Sequence, residues 1–298
     1  MERVTLRVPA TSANLGPGFD SFGCALTLYN TYTFERTKDG LEITGCPAEF
    51  CNRDNLSVQA YEYALRALGL PMTGLRLHVR AEIPVCRGLG SSSAMIIGGV
   101  MAANLLNGSP LSTQEMLRLC TAVEGHPDNL APALYGGMTA SLMRGDMPVT
   151  ARFPLSEKLR FLALVPDFPL STQLARSVLP EMVPFADAVF NVSHAALLLR
   201  ALETADTQTI ALALDDRLHQ PYRRGLIRDY DRVHALAREC GVTAFCISGA
   251  GPTCLCIAAD DETGRRLADR LPKECPGWQV LSLHIDTEGA KQITEETE

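Results

Sequence analysis

Aromatic residues are scarce, at 6% of the 298 residues, with a single tryptophan. Basic charge is not in excess either. Twenty-seven lysines and arginines face 34 aspartates and glutamates, for a net charge of −7. A general nucleic-acid binder shows a basic stripe, so that class is disfavoured. A nucleotide needs only local positive potential and stays open as a ligand. None of the ten cysteines stands in a C-x-x-C pair, and the six histidines are scattered. No His, Cys or Asp spacing therefore resembles a zinc or iron site. Met1–Pro9 alternates charge with hydrophobe and does not read as a secretory signal. Disulfides are then not expected, and a reducing cytoplasm is the default location. The charge-free stretch Ser91–Asn107 is interrupted by Gly98 and Gly99 and is too short for a membrane span. It reads as a buried core helix with Ser91 or Ser92 as its N-cap. Two nucleotide signatures are also missing: the lysine of a Walker A loop, and a G-x-G-x-x-G that opens a helix.

What remains is an ordinary globular composition, 46% hydrophobic and 20% charged, long enough for two packed domains or one large one. Val4, Leu6 and Val8 alternate with polar residues as a strand, and so do Leu75, Leu77, Val79 and Ala81. Asn55–Leu68 between them reads as a helix stopped by Gly69. Ser112–Val123 reads as a helix opened by a capping box of Ser112 and Glu115. Proline and charge gather from Arg144 to Lys158, where a domain boundary is expected, giving domains 1–155 and 156–298. Beyond it come a strand at Phe161–Val165, helices around Ser193–Glu203 and Gly225–Cys240, and strands at Thr243–Ile247 and Cys254–Ala258. A helix at Asp261–Leu271 and a strand at Gln279–His284 complete the series. Cys254 and Cys256 point to one face of their strand as small buried hydrophobes. The β, α, β, β, α, β order is the split βαβ pattern of a ferredoxin-like domain, which makes the fold class α+β. The polar tail after Asp286 is expected to fray.

The segment with the clearest chemistry is Pro84, Val85, Cys86, Arg87, Gly88, Leu89, Gly90, Ser91, Ser92, Ser93 and Ala94. A strand leads in and the charge-free helix leads out. The first amides of a helix lack internal partners and the dipole adds positive potential, so an anion is stabilised there. Gly88 and Gly90 permit close backbone approach to phosphate, and the serine hydroxyls suit phosphate or magnesium. A second segment, Pro9–Asp20, sets Ser12, Asn14 and Asp20 among glycines and prolines on a rigid turn, which suits a small polar substrate. A third, Ser248–Thr253, links two strands through Gly249 and Gly251 and by itself is a hairpin turn. Glu124, His126, Asp128 and Asn129 cluster within six residues, and a carboxylate there could complete a magnesium shell. Arg176 follows Ser171 and Thr172, and Arg223 follows Gln220 and Tyr222. Arginine grips carboxylate or phosphate bidentately, though a solvated surface arginine is the plain alternative.

Together these three segments resemble the motifs of the GHMP kinases, in the family's order, over Val8 to about Ala258. Thr11–Asp20, Glu124–Asn129 and Thr172–Arg176 are similar to the forms found in the homoserine kinase branch. The resemblance implies a two-domain architecture, with a ribosomal S5 domain 2-like N-terminal domain, a ferredoxin-like C-terminal domain and a site between them. It implies ATP as co-substrate with Mg2+, and Pro84–Ala94 as the phosphate loop. Ser92 and Glu124 are implied as metal ligands, and Asn55 as an adenine-side contact. Asn14, Asp20, His126, Asn129, Thr172, Arg176 and Arg223 are implied around homoserine. Asn14, Asp20, Asn129 and Arg176 are implied closest to the chemistry, with transfer direct from hydroxyl to phosphate. The implied partners are small molecules, with no nucleic acid or membrane, and a homodimer is one possible assembly. A kinase of mevalonate or an isoprenoid alcohol, and a catalytically silent nucleotide-binding protein, stay open at this point.

Overall fold

The computed structural model describes residues 2–294. The chain opens with a long antiparallel hairpin, β1 (Arg3–Ala13) and β2 (Phe22–Thr37), whose register shifts between Pro9 and Ala10. A short β3 (Leu41–Thr44) precedes α1 (Leu56–Ala67), and β4 (Gly74–Ala81) follows. Helix α1 starts where Asn55 caps it by accepting the Ser57 amide. Strand β4 buries Leu75, Leu77 and Val79 on one face, as its alternation requires. Next come α2 (Ser91–Leu106), α3 (Thr113–Glu124) and the short α4 (Leu130–Tyr135), with the hairpin β5 (Met138–Arg144) and β6 (Met147–Phe153). Ser112 and Glu115 form the expected capping box on α3. Helix α2 is surrounded by protein. A side chain at Gly99 would meet the Ser57 carbonyl at 2.2 Å, so α1 and α2 approach to backbone contact there. One correction concerns its start. The N-cap is Gly90, in a left-handed conformation, and no side chain caps the helix. Ser91 is already helical, so its hydroxyl and that of Ser92 are released from capping.

The second sheet begins with β7 (Arg160–Pro166). Helices α5 (Thr172–Ser177), α6 (Phe185–Thr204), α7 (Thr207–Ala213), α8 (Gln220–Arg223) and α9 (Tyr230–Glu239) follow, then β8 (Ala244–Ile247), β9 (Cys254–Ala258), α10 (Asp261–Glu274) and β10 (Trp278–Leu283). Strand order is β10-β7-β9-β8, antiparallel throughout, which is the ferredoxin-like arrangement. Helix α10 runs three residues past the expected Leu271, and two helix starts also differ from the sequence reading. Helix α6 begins at Phe185, after Pro184, where no side chain caps it to mark the start. Helix α9 begins only at Tyr230, since the backbone turns through a left-handed Asp229.

The first sheet has the order β11-β1-β2-β4-β3, with β5 pairing to β2 and β6, where β11 is Lys291–Ile293. That strand corrects the expectation of a frayed tail. Asp286 is buried, its side chain accepts the amides of Glu288 and Gly289, and the returning chain pairs with β1. A buried carboxylate that ties down a turn is invisible to a composition argument. The last four residues of the tail lie outside the described residues. The expected boundary stretch also holds β6, and the chain passes from one sheet to the other between Phe153 and Arg160.

Candidate active site

The three glycine-rich segments meet at one place. The Thr11 amide donates to the Leu89 carbonyl at 3.1 Å, the Gly249 amide to Ala13 at 3.0 Å, and the Thr253 amide to Arg87 at 3.2 Å. Ser248 Oγ donates to the Gly88 carbonyl at 2.6 Å and lies 2.8 Å from Ser12 Oγ. Gly88 and Gly90 both have positive φ. A Cβ on Gly88 would meet the Ser248 carbonyl at 2.4 Å, and one on Gly90 would meet Thr11 Oγ1 at 1.9 Å. Their first use is thus to let the segments touch one another. The cleft so formed is lined by Asn14 and Asp20 from the first segment, Cys86 to Ser92 in part from the second, and Gly249 to Gly251 from the third.

At one end of the cleft stands the uncapped start of α2. Ser91 and Ser92 line it. Helix α3 ends at Glu124 because Gly125 takes a left-handed turn, which leaves the carboxylate beside those serines. Glu124 Oε1 accepts from Ser92 Oγ at 2.6 Å and from Ser93 Oγ at 3.2 Å. The donor set is all oxygen, with one carboxylate and a hydroxyl at the uncapped start of α2. That fits Mg2+, which takes one or two carboxylates along with phosphate and water. It does not fit a softer metal, and no larger cluster of ligating side chains occurs among the described residues.

At the other end is a charged polar group. Arg176 grips Asp20 through both nitrogens, at 2.8 and 2.9 Å. The Asp20 hydrogen bond raises the Arg176 pKa above the ordinary arginine value. Arg223 is only 2% exposed. Its Nε donates to the Ala175 carbonyl at 3.0 Å and its Nη1 to Gly249 at 3.2 Å. No carboxylate reaches it within salt-bridge distance among the described residues. Burial, and then the neighbouring Arg176, bring its pKa down to about 10. Both guanidinium groups sit over the Phe19 ring, with centroid distances of 5.7 Å for Arg176 and 5.1 Å for Arg223. His126 Nδ1 lies 2.6 Å from Asp128 Oδ1, and that contact raises the imidazole pKa despite burial. Asn129 Oδ1 accepts from Thr11 Oγ1 at 2.8 Å. Thr172, at the start of α5, also faces the cleft.

Most residues expected at the site are therefore together, but several serve it indirectly. Asn14 is buried with positive φ. Its Oδ1 accepts the Asp20 amide at 2.9 Å and its Nδ2 donates to Gly249 at 2.7 Å. It sets the Asp20 backbone more than it offers itself to a ligand. Asn55 does not line the cleft. Its amide caps α1 and donates to the Phe50 carbonyl. Within the phosphate segment, Pro84, Val85, Arg87, Leu89, Ser93 and Ala94 are not in the lining. Leu89 and Ala94 are core, and Arg87 holds the carbonyls of Pro166 and Asp167 across the junction of the sheets. Phe19 and His219 were not singled out from sequence, while Asp128 and the Gly249–Gly251 wall stood in segments that were, without a site role of their own. Phe19 stands inside the first motif and was within reach. His219 has no signal beyond its closeness to Arg223, and Asp128, read as one carboxylate of a cluster, turns out to hold His126.

Comparison with known proteins agrees with this layout. The GHMP kinases N terminal domain model matches residues 55–137, and the GHMP kinases C terminal model matches residues 198–277. The chain is 40% identical over 293 residues to a homoserine kinase of Clostridium botulinum (strain Alaska E43 / Type E3), covering 97% of this chain and 98% of that one. A homoserine kinase of Clostridium beijerinckii is 40% identical over 295 residues, covering 97% and 98%. Among solved structures, homoserine kinase from Cytophaga hutchinsonii superposes with a TM-score of 0.87 at 26% identity, over 98% of both chains. L. major mevalonate kinase, at 16% identity and a TM-score of 0.76 over 95% and 96%, shares the fold. With motifs, cleft and full-length relatives in agreement, the chain belongs to the GHMP kinase family, in its homoserine kinase branch.

Proposed function

We propose that this chain transfers the γ-phosphoryl group of ATP to the side-chain hydroxyl of L-homoserine, releasing ADP and O-phospho-L-homoserine. The observation that carries the substrate half is Arg223, a buried guanidinium whose partners are all neutral. Burying an unpaired charge costs several kcal/mol, of the order expected for any ion moved out of water, so the site favours an anionic group at that spot. A carboxylate of the substrate fits it, with Arg176 as the second arm. The Arg176–Asp20 pair is about a third exposed on each side. Such a pair is worth only about 0–1 kcal/mol, so opening it costs little. A zwitterionic amino acid replaces it in both directions, with its carboxylate on Arg176 and its ammonium on Asp20. Mevalonate has the carboxylate but no ammonium for Asp20, and an isoprenoid alcohol has neither.

The phosphate half rests on the α2 N-terminus. Its free amides and dipole suit the phosphates of ATP. Ser92 and Glu124 would hold Mg2+, which supplies charge neutralisation at the phosphoryl oxygens when bound. The protein's own residues do the rest. Asp20 and the arginines orient the substrate, with the hydroxyl pointing along the cleft toward α2. Asn129, fixed by Thr11, and His126, fixed by Asp128, shape the wall between the two ends. Phosphoryl transfer runs through a loose transition state, so positioning and charge stabilisation carry most of the catalysis and no strong base is needed. We assign residues 1–155 mainly to the phosphates and 156–298 to the arginine side. The ten free cysteines suit a reducing cytoplasm. The exposed apolar face of α6, with Phe185, Val189 and Val192, suits a homodimer. An ADP-release assay with homoserine, mevalonate and prenyl alcohols side by side tests the reading. Turnover of homoserine alone supports it, and preference for either other alcohol overturns it.

A further inference from the structure

Arg223 is held by an imidazole. Its Nη1 lies 3.4 Å from His219 Nδ1. The His219 ring is fully buried, is stacked on Phe19 with centroids 5.3 Å apart, and has Nε2 2.9 Å from the Gly16 carbonyl. Asp216 Oδ2 is 3.6 Å from the same Nε2. Both neighbours of Nε2 are acceptors, so the proton sits on Nε2 and the Nδ1 lone pair faces the guanidinium. Burial also lowers the imidazole pKa, which keeps the ring neutral. Nη2 of Arg223 has no acceptor among the described residues, and Arg223 lines the cleft.

We infer that His219 is a positioning residue that sets selectivity for alcohols carrying a carboxylate, by holding Arg223 in place without cancelling its charge. A carboxylate in its position would hold the guanidinium too, but it would compete with the substrate's own. A hydrophobe would leave the guanidinium free to turn. A neutral acceptor, fixed from behind by Gly16 and from the side by Phe19, aims the unused Nη2 at the cleft and leaves the positive charge for a ligand. Phe19 completes the device as the floor under both arginines. This inference rests on the homoserine reading above.

The test compares His219→Asn, whose amide oxygen can replace Nδ1, with His219→Gln, whose amide nitrogen can replace Nε2, and with His219→Leu. Each is checked by thermal melting and by its KM for ATP. The expected result is a homoserine KM raised about tenfold in the Gln and Leu variants, the scale of one lost hydrogen bond to a charged group. His219→Asn should recover most of that, and kcat should stay within about threefold in all three, since the contact orients substrate without meeting the reacting atoms. With 3-aminopropan-1-ol, which is homoserine without its carboxylate, the variants should match the parent enzyme. If Asn and Gln variants lose equally, or if the loss carries over to the carboxylate-free alcohol, His219 is a packing residue and the inference is wrong. If the parent enzyme does not phosphorylate homoserine at all, the functional reading fails first.

Discussion

Arg223 and Asp20 divide the work at the scale of single residues. Arg223 is buried with only neutral hydrogen-bond partners among the described residues, so on the proposed reading its removal should be felt in binding. Arg223→Lys keeps the charge but loses the planar fork. It should raise the homoserine KM by roughly 10- to 100-fold, the range for one or two lost charge-assisted bonds. Steady-state kinetics at fixed ATP measure it, and an unchanged KM would remove Arg223 from the substrate site. Asp20→Asn separates orientation from proton transfer. Losing a general base costs about 10²–10⁴ in rate. We expect a raised KM with kcat reduced less than about tenfold, the signature of a binding rather than a proton-transfer contact. A thousandfold fall in kcat would make Asp20 the proton acceptor. His219 gives a pH signature. Its folded pKa is depressed below the unfolded value of about 6.5, so the unfolded chain binds more protons as pH falls below that value. The stability it contributes is present above pH about 6.5 and is lost on acidification below it. Urea titrations from pH 7.5 downward should show His219→Asn losing less stability than the parent enzyme. Equal slopes would mean that the ring is not held neutral. At this scale the sequence was partly legible. Asn14, Asp20, Arg176 and Arg223 stood out by type and context. Their pairing did not, because Asp20 and Arg176 are 156 positions apart and only packing joins them.

Glycines weld the elements. Sequence reading expected Gly88 and Gly90 to serve phosphate approach, and the structure shows them serving contact between the motifs. Each occupies a left-handed turn whose missing Cβ makes room for another motif. Gly90→Ala should therefore act twice, through about 1–2 kcal/mol of backbone strain at positive φ and through displacement of Thr11, which holds Asn129. A melting temperature lower by several degrees, together with a weaker KM for ATP, is expected. An unaffected ATP KM would separate this turn from nucleotide binding. Strands with clean alternation and helices with charged caps were readable in advance, as β4 and α3 illustrate. The β11 return was not, because its cause is one buried carboxylate, Asp286. The start of α6 was not either, since no capping side chain marks it.

The whole molecule brings the uncapped start of α2 and the buried Arg223 to one cleft, which the proposed function reads as the phosphate side and the carboxylate side. This arrangement explains why composition said so little. A net charge of −7 is compatible with two local positive sites, because one is a helix terminus without formal charge and the other is a single buried guanidinium. The proposed Mg2+ site can be tested at the same scale. Chelation of Mg2+ should abolish turnover, and Ser92→Ala or Glu124→Gln should raise the Mg2+ concentration for half-maximal rate by about tenfold, the lower end of what losing a ligand or its support costs. Unchanged Mg2+ dependence in both variants would move the metal elsewhere. The central claim, that this cleft phosphorylates an amino-acid alcohol, is tested most directly by ADP release with L-homoserine and with mevalonate at equal concentration, with and without Mg2+. Mg2+-dependent release with homoserine and a phosphorylated homoserine product are expected, with no more than background release on mevalonate. Release on mevalonate with none on homoserine would contradict it.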